Sequence, residues 1–487
     1  MVTATTRWRP PGGWIASGRW RDDGNPLVVS DQQNGARVET VVDVAPEVVD
    51  QIVAAASAAV PASAEVPAHE RRRVLAEAGA RVERDAESFA QTLVAEGSKT
   101  IREARREVAR CVTTLRLAAE EAGRLTGETI AFDGVEAGVG RIGWWMREPV
   151  GVVAAITPFN DALNLVAHKI GPAIAAGNVT VLKPSEHTPL SALRLAEALL
   201  DAGLPGDMLS VVPGGAPTAQ ALVAHPAVDA VSFTGGYRTG AEIARSAGPK
   251  RMVMELGGNC PVIVLSDADL KVAAAATAAG AFSAAGQNCL SVQRVYVERS
   301  VAPEFTERLV ARTEALRCGD KYDELTDVGP LIDGHAARRV RAWIDEAVRA
   351  GARLRVGGDH DGAFIRPAVL DHVPEDARVL REEVFGPVVS VIPVDGPAEA
   401  VAMANDSLYG LHAGLFTQDV GLALALASRL RVGGVMINDS SDFRIDSMPF
   451  GGRGHSGVGR EGVRYAIEAL TEPKVVAVRV PSPAPAA

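Results

Sequence analysis

Two apolar segments, GVVAAITPF at residues 151–159 and NVTVLKPS at residues 178–185, indicate the fold class. Each has the length of a buried strand, and the residues after Asn164 that separate them have a helical pattern. The alternation continues with a helix in 191–205, a strand in 208–214, a helix in 219–226 and a strand in 228–236. Strands that alternate with helices are typical of a parallel sheet with helices on both faces. We therefore predict an α/β fold built on a doubly wound sheet.

The rest of the chain indicates further units. Residues from Pro46 to about Ala122 have helical spacing, and residues 129–150 read as strand, turn and strand. A second α/β run begins near Glu255 and includes the apolar segments 295–300, 388–394, 412–417 and 433–439. The tail 475–487 reads as a strand followed by a loose Pro/Ala-rich end. A chain of 487 residues exceeds one ordinary core, so about three domains are expected.

Composition and charge exclude several classes of protein. A net charge of −10 argues against general binding to nucleic acid or to membrane surfaces. We find neither a secretory signal pattern at the start nor an apolar run of roughly 18 residues that would cross a membrane. The four cysteines lie far apart, without the spacing of a metal site or the density of a disulfide scaffold. We expect a reduced, cytoplasmic enzyme with no bound metal.

Four segments carry candidate chemistry. FSAAGQNCLSVQRVYV places Cys289 between a helical stretch and a strand, and VMELGGNCPVIV places Glu255 at a strand end, where a carboxylate can act as a general base. ITPFN presents Asn160, whose amide could donate to an oxyanion, and FTGGYRTG is a strand-to-helix turn suited to phosphate. Taken singly, each has a plainer explanation as a small buried residue, a helix cap or a turn.

In this order and wording, the four segments resemble the aldehyde dehydrogenase superfamily. KPSEHTP at 183–189, EEVFGP at 382–387 and PFGGRGHSG at 449–457 extend the resemblance, which covers about residues 45 to 478. It implies two doubly wound parallel-sheet domains and a bridging β element that joins subunits into a homodimer or homotetramer. By this resemblance the cofactor-binding domain comprises 1–125 and 149–254, the catalytic domain 255–440, and the oligomerisation element 126–148 and 463–487.

The resemblance also implies catalytic roles. Cys289 would attack the aldehyde, and the Asn160 amide and the Cys289 backbone N–H would hold the oxyanion. Hydride transfer would leave a thioester, which water activated by Glu255 would hydrolyse. Lys169 and Glu461 match positions linked to structure and proton relay.

The implied cofactor is NAD, with NADP possible. The residues carried over for it are Phe159, Lys183, Glu186, Gly235, Gly240, Glu383 and Phe385. Lys183 and Glu186 would meet the adenosine ribose, where a carboxylate favours a 2′-hydroxyl over a 2′-phosphate. The one GxGxxG pattern, at 457–462, is not a dinucleotide fingerprint, because no apolar strand precedes it and too little chain follows.

The substrate end departs from a simple pattern. Positions that line the tunnel in the family are here Arg110, Asp161, Asn288, Leu290 and Arg444. The two arginines resemble members that act on phosphate-, phosphonate- or sulfonate-bearing aldehydes, because guanidinium groups suit oxyanions. Asn288 and Asp161 depart from that type. Asp161 could neutralise an arginine, or it could contact a hydroxyl or amine of the substrate.

We therefore expect a small anionic aldehyde as substrate and leave a hydroxyaldehyde such as lactaldehyde, or another semialdehyde, as the alternative. A CoA-acylating enzyme on the same scaffold is disfavoured, because such relatives usually lack the base at the position of Glu255. A non-catalytic protein is disfavoured because Cys289, Glu255 and Asn160 are all present.

Overall fold

The computed structural model describes residues 8–480, so the predicted loose end at 481–487 lies outside the described residues. The strands are β1 Trp14–Ala16, β2 Arg19–Arg21, β3 Asn25–Ser30, β4 Arg37–Asp43, β5 Glu128–Thr129, β6 Arg141–Pro149, β7 Val152–Ile156, β8 Val179–Lys183, β9 Leu209–Val211, β10 Ala230–Thr234, β11 Arg251–Glu255, β12 Cys260–Val264, β13 Val292–Glu298, β14 Arg353–Val356, β15 His360–Asp361, β16 Phe364–Ile365, β17 Ala368–Asp371, β18 Val388–Val394, β19 Tyr409–Gly410, β20 His412–Phe416, β21 Gly434–Ile437, β22 Arg453–Gly454, β23 Gly457–Val458 and β24 Thr471–Arg479. The helices are α1 Pro46–Glu65, α2 Ala68–Arg84, α3 Ala86–Glu96, α4 Ile101–Ala122, α5 Asn164–Ala176, α6 Pro189–Asp201, α7 Ala216–Ala224, α8 Tyr237–Ala247, α9 Leu270–Phe282, α10 Ala302–Glu314, α11 Gly334–Arg349, α12 Arg378–Arg381, α13 Pro397–Asn405, α14 Val420–Ala427 and α15 Val463–Ala469.

The first sheet has eight strands in the order β2-β1-β9-β8-β7-β10-β11-β23. Its centre, from β9 to β11, is parallel, whereas β1, β2 and β23 join antiparallel at the edges. Every residue of β7 is buried, because its alternate side chains enter apolar clusters on opposite faces of the sheet. The continuous apolar run in the sequence follows from this burial, and the predicted doubly wound sheet is confirmed.

The second sheet has seven strands in the order β14-β17-β18-β13-β12-β20-β21 and is parallel except for β14. Apolar clusters lie on both of its faces as well. It begins at Cys260, whereas Glu255 ends β11 of the first sheet. The turn between these two strands therefore crosses from one sheet to the other.

A third, three-stranded sheet has the order β24-β6-β5. Strands β6 and β24 pair antiparallel along nine residues each, from Thr471 opposite Pro149 to Arg479 opposite Arg141. The region predicted as strand, turn and strand is mostly the single long strand β6, because β5 has only two residues and short 3₁₀ turns occupy 132–134 and 136–138. Among the described residues, no helix is long and apolar enough to cross a membrane.

Candidate active site

A cavity of about 460 Å³ brings the three predicted catalytic residues, Cys289, Glu255 and Asn160, into one lining. Two of them follow or end strands of the first sheet, and the third precedes the first residue of β13 in the second sheet. Ten more residues that the sequence analysis named for the site line the same cavity: Phe159, Gly235, Glu383, Phe385, Arg110, Asp161, Asn288, Leu290, Arg444 and Glu461. The predicted Lys183, Glu186 and Gly240 lie outside this lining.

A tight turn after α9 presents the nucleophile. Ala284, Ala285 and Gly286 all have left-handed backbone angles, with φ of 50°, 54° and 71°. Such a conformation costs a non-glycine residue on the order of 1 kcal/mol or more, so the surroundings must hold it. One such contact is the Ala284 N–H, which donates to the Glu103 carboxylate over 2.7 Å. The chain reaches Cys289 directly after this turn.

The thiol of Cys289 is surrounded by apolar groups and lies near a carboxylate. Burial raises its pKa well above the ordinary value, and the nearby Glu383 carboxylate raises it further. The guanidinium of Arg444 opposes this shift. Because only the thiolate is a strong nucleophile, the proton must leave before Cys289 can attack a carbonyl.

Glu255 is a buried carboxyl, and one of its two oxygens accepts a hydrogen bond. Its Oε1 accepts a hydrogen bond from the Glu461 backbone N–H at 3.3 Å. Its Oε2 has no hydrogen-bond partner within the part of the chain that the structure describes. Burial raises the pKa of Glu255 well above the ordinary value, and the charge of Glu461 adds to the shift. A carboxyl in the cavity lining whose pKa is raised in this way can exchange protons with a reactant.

Glu461 has the opposite electrostatic environment. Although burial favours its neutral form, Lys169 and Arg444 lower the pKa of Glu461 to about 2. The Lys169 Nζ donates to Glu461 over 2.8 Å, and both side chains are fully buried. Two neighbouring carboxyls, at Glu255 and Glu461, thus have pKa values shifted in opposite directions, an arrangement that separates acid and base roles.

The predicted cofactor residues fit a dinucleotide. Lys183 ends β8, is almost fully buried and has its Nζ 3.6 Å from the exposed carboxylate of Glu186. At the start of α8, a Cβ at Gly236 would meet no atom within 4 Å, so this helix N-terminus has open space beside it for a phosphate, although the Gly235 N–H already donates to the Glu255 backbone carbonyl. Gly240 is required by packing instead, because its Cβ would lie 2.5 Å from the Leu256 side chain.

The other end of the cofactor region is aromatic and acidic. The rings of Phe159 and Phe385 meet edge to face with centroids 5.9 Å apart. Glu383 accepts a hydrogen bond from the Gly258 N–H at 2.8 Å, and burial raises the pKa of Glu383 to about 7. These rings and this carboxylate can bound a flat ring and a ribose.

Asp161 neutralises cations of the protein, which is one of the two roles predicted for it. Its carboxylate accepts hydrogen bonds from Lys99 and, over 3.1 Å, from Arg110. Arg110 also donates to Asp446 at 2.9 Å, and Lys99 also binds Glu107 at 2.7 Å. Arg110 therefore meets two carboxylates of the protein itself.

Arg444 is less completely paired. Its side chain is only 8% exposed and its guanidinium lies 3.7 Å from the centre of the Phe450 ring. Its Nη2 has long contacts with His168 at 3.4 Å and Glu461 at 3.5 Å. Its buried Nε has no hydrogen-bond partner among residues 8–480. A desolvated cation with an unused donor in the cavity wall favours an anionic ligand.

Asn288 is a link between two loops. Its side-chain nitrogen donates to Asp442, and its side-chain oxygen accepts from the Leu290 N–H at 3.1 Å. Both ends of the amide are thus used within the protein. The residue before the nucleophile is thereby tied to the loop that carries Arg444.

Sequence reasoning missed Lys99 and Asp442, which line the cavity, and also His168 and Asp446, which do not line it but contact Arg444 and Arg110. His168 lies on α5 and contacts Asp446 over 2.9 Å, although 278 positions separate them. Asp442 and Asp446 flank the predicted Arg444 in the sequence, so the acid–base alternation of that segment was an available signal. The sequence around Lys99 and His168 contains no feature that would have identified them as residues of the site.

Comparison with known proteins agrees with this geometry. The model of the aldehyde dehydrogenase family matches residues 20–476. Aspartate-semialdehyde dehydrogenase 1 of Pseudomonas canavaninivorans is 47% identical, over 92% of this chain and 95% of its own. The 3-sulfolactaldehyde dehydrogenase of Priestia aryabhattai is 45% identical over 85% and 87%, and a lactaldehyde dehydrogenase of Methanococcus maripaludis is 41% identical over 80% and 83%.

A solved structure gives the same result for the fold. The NADP-dependent glyceraldehyde-3-phosphate dehydrogenase of Bacillus halodurans, complexed with NADP, superposes with a TM-score of 0.94 at 36% identity. The match covers 96% of this chain and 99% of the other. The predicted aldehyde dehydrogenase fold is therefore confirmed, and the chain belongs to the aldehyde dehydrogenase family.

Proposed function

We propose that this enzyme oxidises a small aldehyde bearing an anionic group to the carboxylate, with NAD or NADP as hydride acceptor. The observation that carries the proposal is Arg444, a desolvated guanidinium in the same cavity lining as Cys289 whose Nη2 makes only long contacts with the protein. The named substrates of two of the relatives, and of the solved structure, are aldehydes with an anionic group. The lactaldehyde dehydrogenase leaves a neutral hydroxyaldehyde as the alternative.

In the proposed mechanism, Cys289 forms a bond to the aldehyde carbon once its thiol has lost the proton. The Asn160 amide and the Cys289 backbone N–H stabilise the resulting oxyanion, and each such donor typically contributes roughly 10²–10³ in rate. The bound dinucleotide supplies the hydride acceptor. A thioester on Cys289 remains.

Hydrolysis of the thioester is assigned to Glu255. In its ionised form this carboxylate takes a proton from water, and the Glu461 backbone N–H, which donates to Oε1, fixes its position. Burial and the negative charge of Glu461 raise the pKa of Glu255, which makes its carboxylate a stronger base, whereas Arg444 and Lys169 oppose this shift. Water, rather than CoA, is therefore proposed to release the product.

For the cofactor, we propose that Lys183 and Glu186 hold the adenosine ribose, and that the turn at Gly235 approaches the pyrophosphate. Glu383, Phe385 and Phe159 would bound the nicotinamide riboside. The Glu186 carboxylate favours NAD, because it repels a 2′-phosphate, yet its side chain is exposed and can move aside for NADP.

We also propose a domain or an interface role for each of the three sheets. The first sheet with its helices would form the cofactor-binding domain and the second the catalytic domain. The sheet of β24, β6 and β5 would join subunits into a homodimer or homotetramer.

A panel of aldehydes with phosphate, phosphonate, sulfonate, carboxylate and neutral tails tests the function, with NADH or NADPH formation followed by absorbance. Cys289→Ser should abolish turnover, whereas Cys318→Ser, at an exposed cysteine, should retain it. Glu255→Gln should slow turnover by roughly 10²–10⁴ and let acyl-enzyme accumulate, visible by intact-protein mass spectrometry. Turnover that survives Cys289→Ser would exclude the mechanism.

The substrate class is tested by Arg444→Leu, with Arg299→Leu at an exposed arginine as the matched control. We expect Arg444→Leu to lower kcat/KM for anionic aldehydes at least 10-fold more than for neutral ones. An unchanged ratio between tails would exclude the anion site. A neutral hydroxyaldehyde turned over more efficiently than every anionic tail would favour the alternative.

A further inference from the structure

The loop that carries Arg444 presents two opposite charges to the cavity. Asp442 and Arg444 both line it, whereas the intervening Phe443 and the following Ile445 are 48% and 50% exposed. The side chains of this segment therefore alternate between the cavity and the solvent. Asp442 lies in a turn and Arg444 follows it two residues later, so one short loop brings both charges to the cavity.

Asp442 is a carboxylate whose charge the protein leaves uncompensated. Its hydrogen bond is to the neutral amide of Asn288, and it forms no ion pair within the described chain. Burial and the neighbouring Asp161 raise the pKa of Asp442 to about 6, against the opposing charges of Arg110 and Arg106. Arg110 is already shared by Asp161 and Asp446. A bound cation beside Asp442 would supply the missing partner.

Neither a purely anionic nor a neutral aldehyde satisfies both side chains. An anionic ligand pairs with Arg444 and leaves Asp442 facing it without a partner, and buried unpaired charge is costly. A neutral ligand supplies no charge to Asp442 and leaves Arg444 with only its long contacts to His168 and Glu461. A ligand that carries an anion and a cation on neighbouring atoms satisfies both at once.

Resting on the proposed function, we infer that the substrate is a short α-amino acid semialdehyde, whose ammonium binds Asp442 and whose carboxylate binds Arg444. A hydroxyl in place of the ammonium can donate to Asp442 but cannot neutralise it. Hydrogen bonds between charged groups are stronger than those of neutral groups, so the ammonium should be preferred.

Three aldehydes of equal length isolate the substituent: aspartate semialdehyde, its hydroxyl analogue 2-hydroxy-4-oxobutanoate, and unsubstituted succinate semialdehyde. All three carry the carboxylate for Arg444 and differ only at the atom that would face Asp442. We expect the wild type to show kcat/KM at least 10-fold higher for the ammonium compound than for either other, chiefly through KM. Equal or better turnover of the hydroxyl or unsubstituted compound would overturn the inference.

Asp442→Asn keeps the shape and removes the charge, so it should reduce the preference for the ammonium compound at least 10-fold. Asp442→Ser makes the same charge change through a different side chain, and thermal melting monitors folding of both. Phe443→Leu, on the solvent side of the same loop, is the matched control and should keep the wild-type preference. A full preference in either Asp442 variant would overturn the inference.

The outcome is separable from that of the proposed function. If Arg444→Leu lowers turnover of all three carboxylate-bearing aldehydes but the ammonium brings no advantage, the anion site stands and this inference fails. If Arg444→Leu changes none of them relative to a neutral aldehyde, the proposed substrate class fails.

Discussion

The nucleophile is a buried thiol whose own surroundings favour the protonated form. Burial is the first cause of its raised pKa and the Glu383 carboxylate the second. Since Glu383 itself ionises near neutral pH, its charge is present where the thiol is titrated. Attack by Cys289 should therefore accelerate as the solution becomes more alkaline.

This predicts the pH dependence of alkylation in the cofactor-free enzyme. The rate of Cys289 modification by iodoacetamide should rise with pH to a midpoint above about 8.5, the ordinary thiol value. Glu383→Gln removes the like charge and should lower that midpoint, whereas Glu346→Gln, at an exposed acid, should leave it in place. Mass spectrometry of the Cys289 peptide measures the rate, and a midpoint below 8 would contradict the prediction.

At this scale, the sequence predicted residues that lie within motifs and missed residues that act through distant partners. Cys289, Glu255 and Asn160 each stand in a recognisable segment at a strand end or turn. His168 is an ordinary helical residue until α5 brings it against Asp446. Such a contact depends on tertiary packing, which no spacing within a single sequence encodes.

Strands of the fold could be predicted where their burial produces a run of apolar residues in the sequence. The parallel strands β7, β8 and β10 are buried throughout and appear as apolar runs in the sequence. Strands β1, β2 and β23 have only two or three residues, so they show no alternation, and backbone pairing at the sheet edges defines them.

The turn between β11 and β12 depends on close packing at Gly258. A Cβ there would lie 2.1 Å from the Cys289 carbonyl oxygen, too close for any relaxation confined to side chains. Gly258→Ala should destabilise the fold by roughly 1–3 kcal/mol or more, as overpacking does, and should displace the nucleophile. Gly236→Ala, whose Cβ would meet no atom within 4 Å, is the control. Urea unfolding measures the difference, and equal stability of the two variants would contradict it.

Another element-scale prediction concerns the start of α6. Glu96, the last residue of α3, accepts hydrogen bonds from the Leu190 N–H at 2.6 Å and the Ser191 N–H at 2.8 Å. Burial nevertheless raises the pKa of Glu96 to about 7. A carboxyl with a raised pKa binds its proton more tightly in the folded state. Its stabilisation is therefore complete below the ordinary carboxyl pKa and is lost as the pH rises through about 7.

The expected loss from Glu96 between pH 4 and pH 8 is roughly 3 kcal/mol of unfolding free energy, from about 1.4 kcal/mol per pKa unit. Glu96→Gln should remove this part of the pH dependence, so the stability curve of the variant should be flatter. Glu83→Gln, at an exposed acid, should retain the wild-type slope. Urea unfolding at intervals of pH tests this, and parallel curves for wild type and Glu96→Gln would contradict it.

At the scale of the molecule, the site exists because two sheets meet. The first sheet supplies Glu255 and the segment that carries Asn160, and the second sheet follows Cys289. The resemblance predicted this arrangement and the positions of Arg110 and Asp161, but the complete set of ion pairs around them could not be predicted. Lys99, Arg110, Asp161 and Asp446 come from three separate segments, and their pairing decides which cations remain for a substrate.

The three-stranded sheet leads to a prediction about assembly. On one face of it, Ile142, Trp144 and Met146 of β6 are 59%, 40% and 41% exposed. Val476 and Val478 of β24 stand directly opposite Trp144 and Ile142, so their side chains extend the same face. A contiguous apolar face of this kind on a soluble protein marks an interface, and a second copy of the chain can cover it.

Trp144→Glu should therefore shift the enzyme toward the monomer, because burying an unpaired carboxylate in an apolar interface is costly. Val420→Glu is the matched control, since Val420 is 70% exposed and lies at the start of α14, outside this sheet. Sedimentation velocity of both variants and the wild type gives the assembly state. A wild-type monomer, or a Trp144→Glu variant that assembles as the wild type does, would show that this sheet does not join subunits.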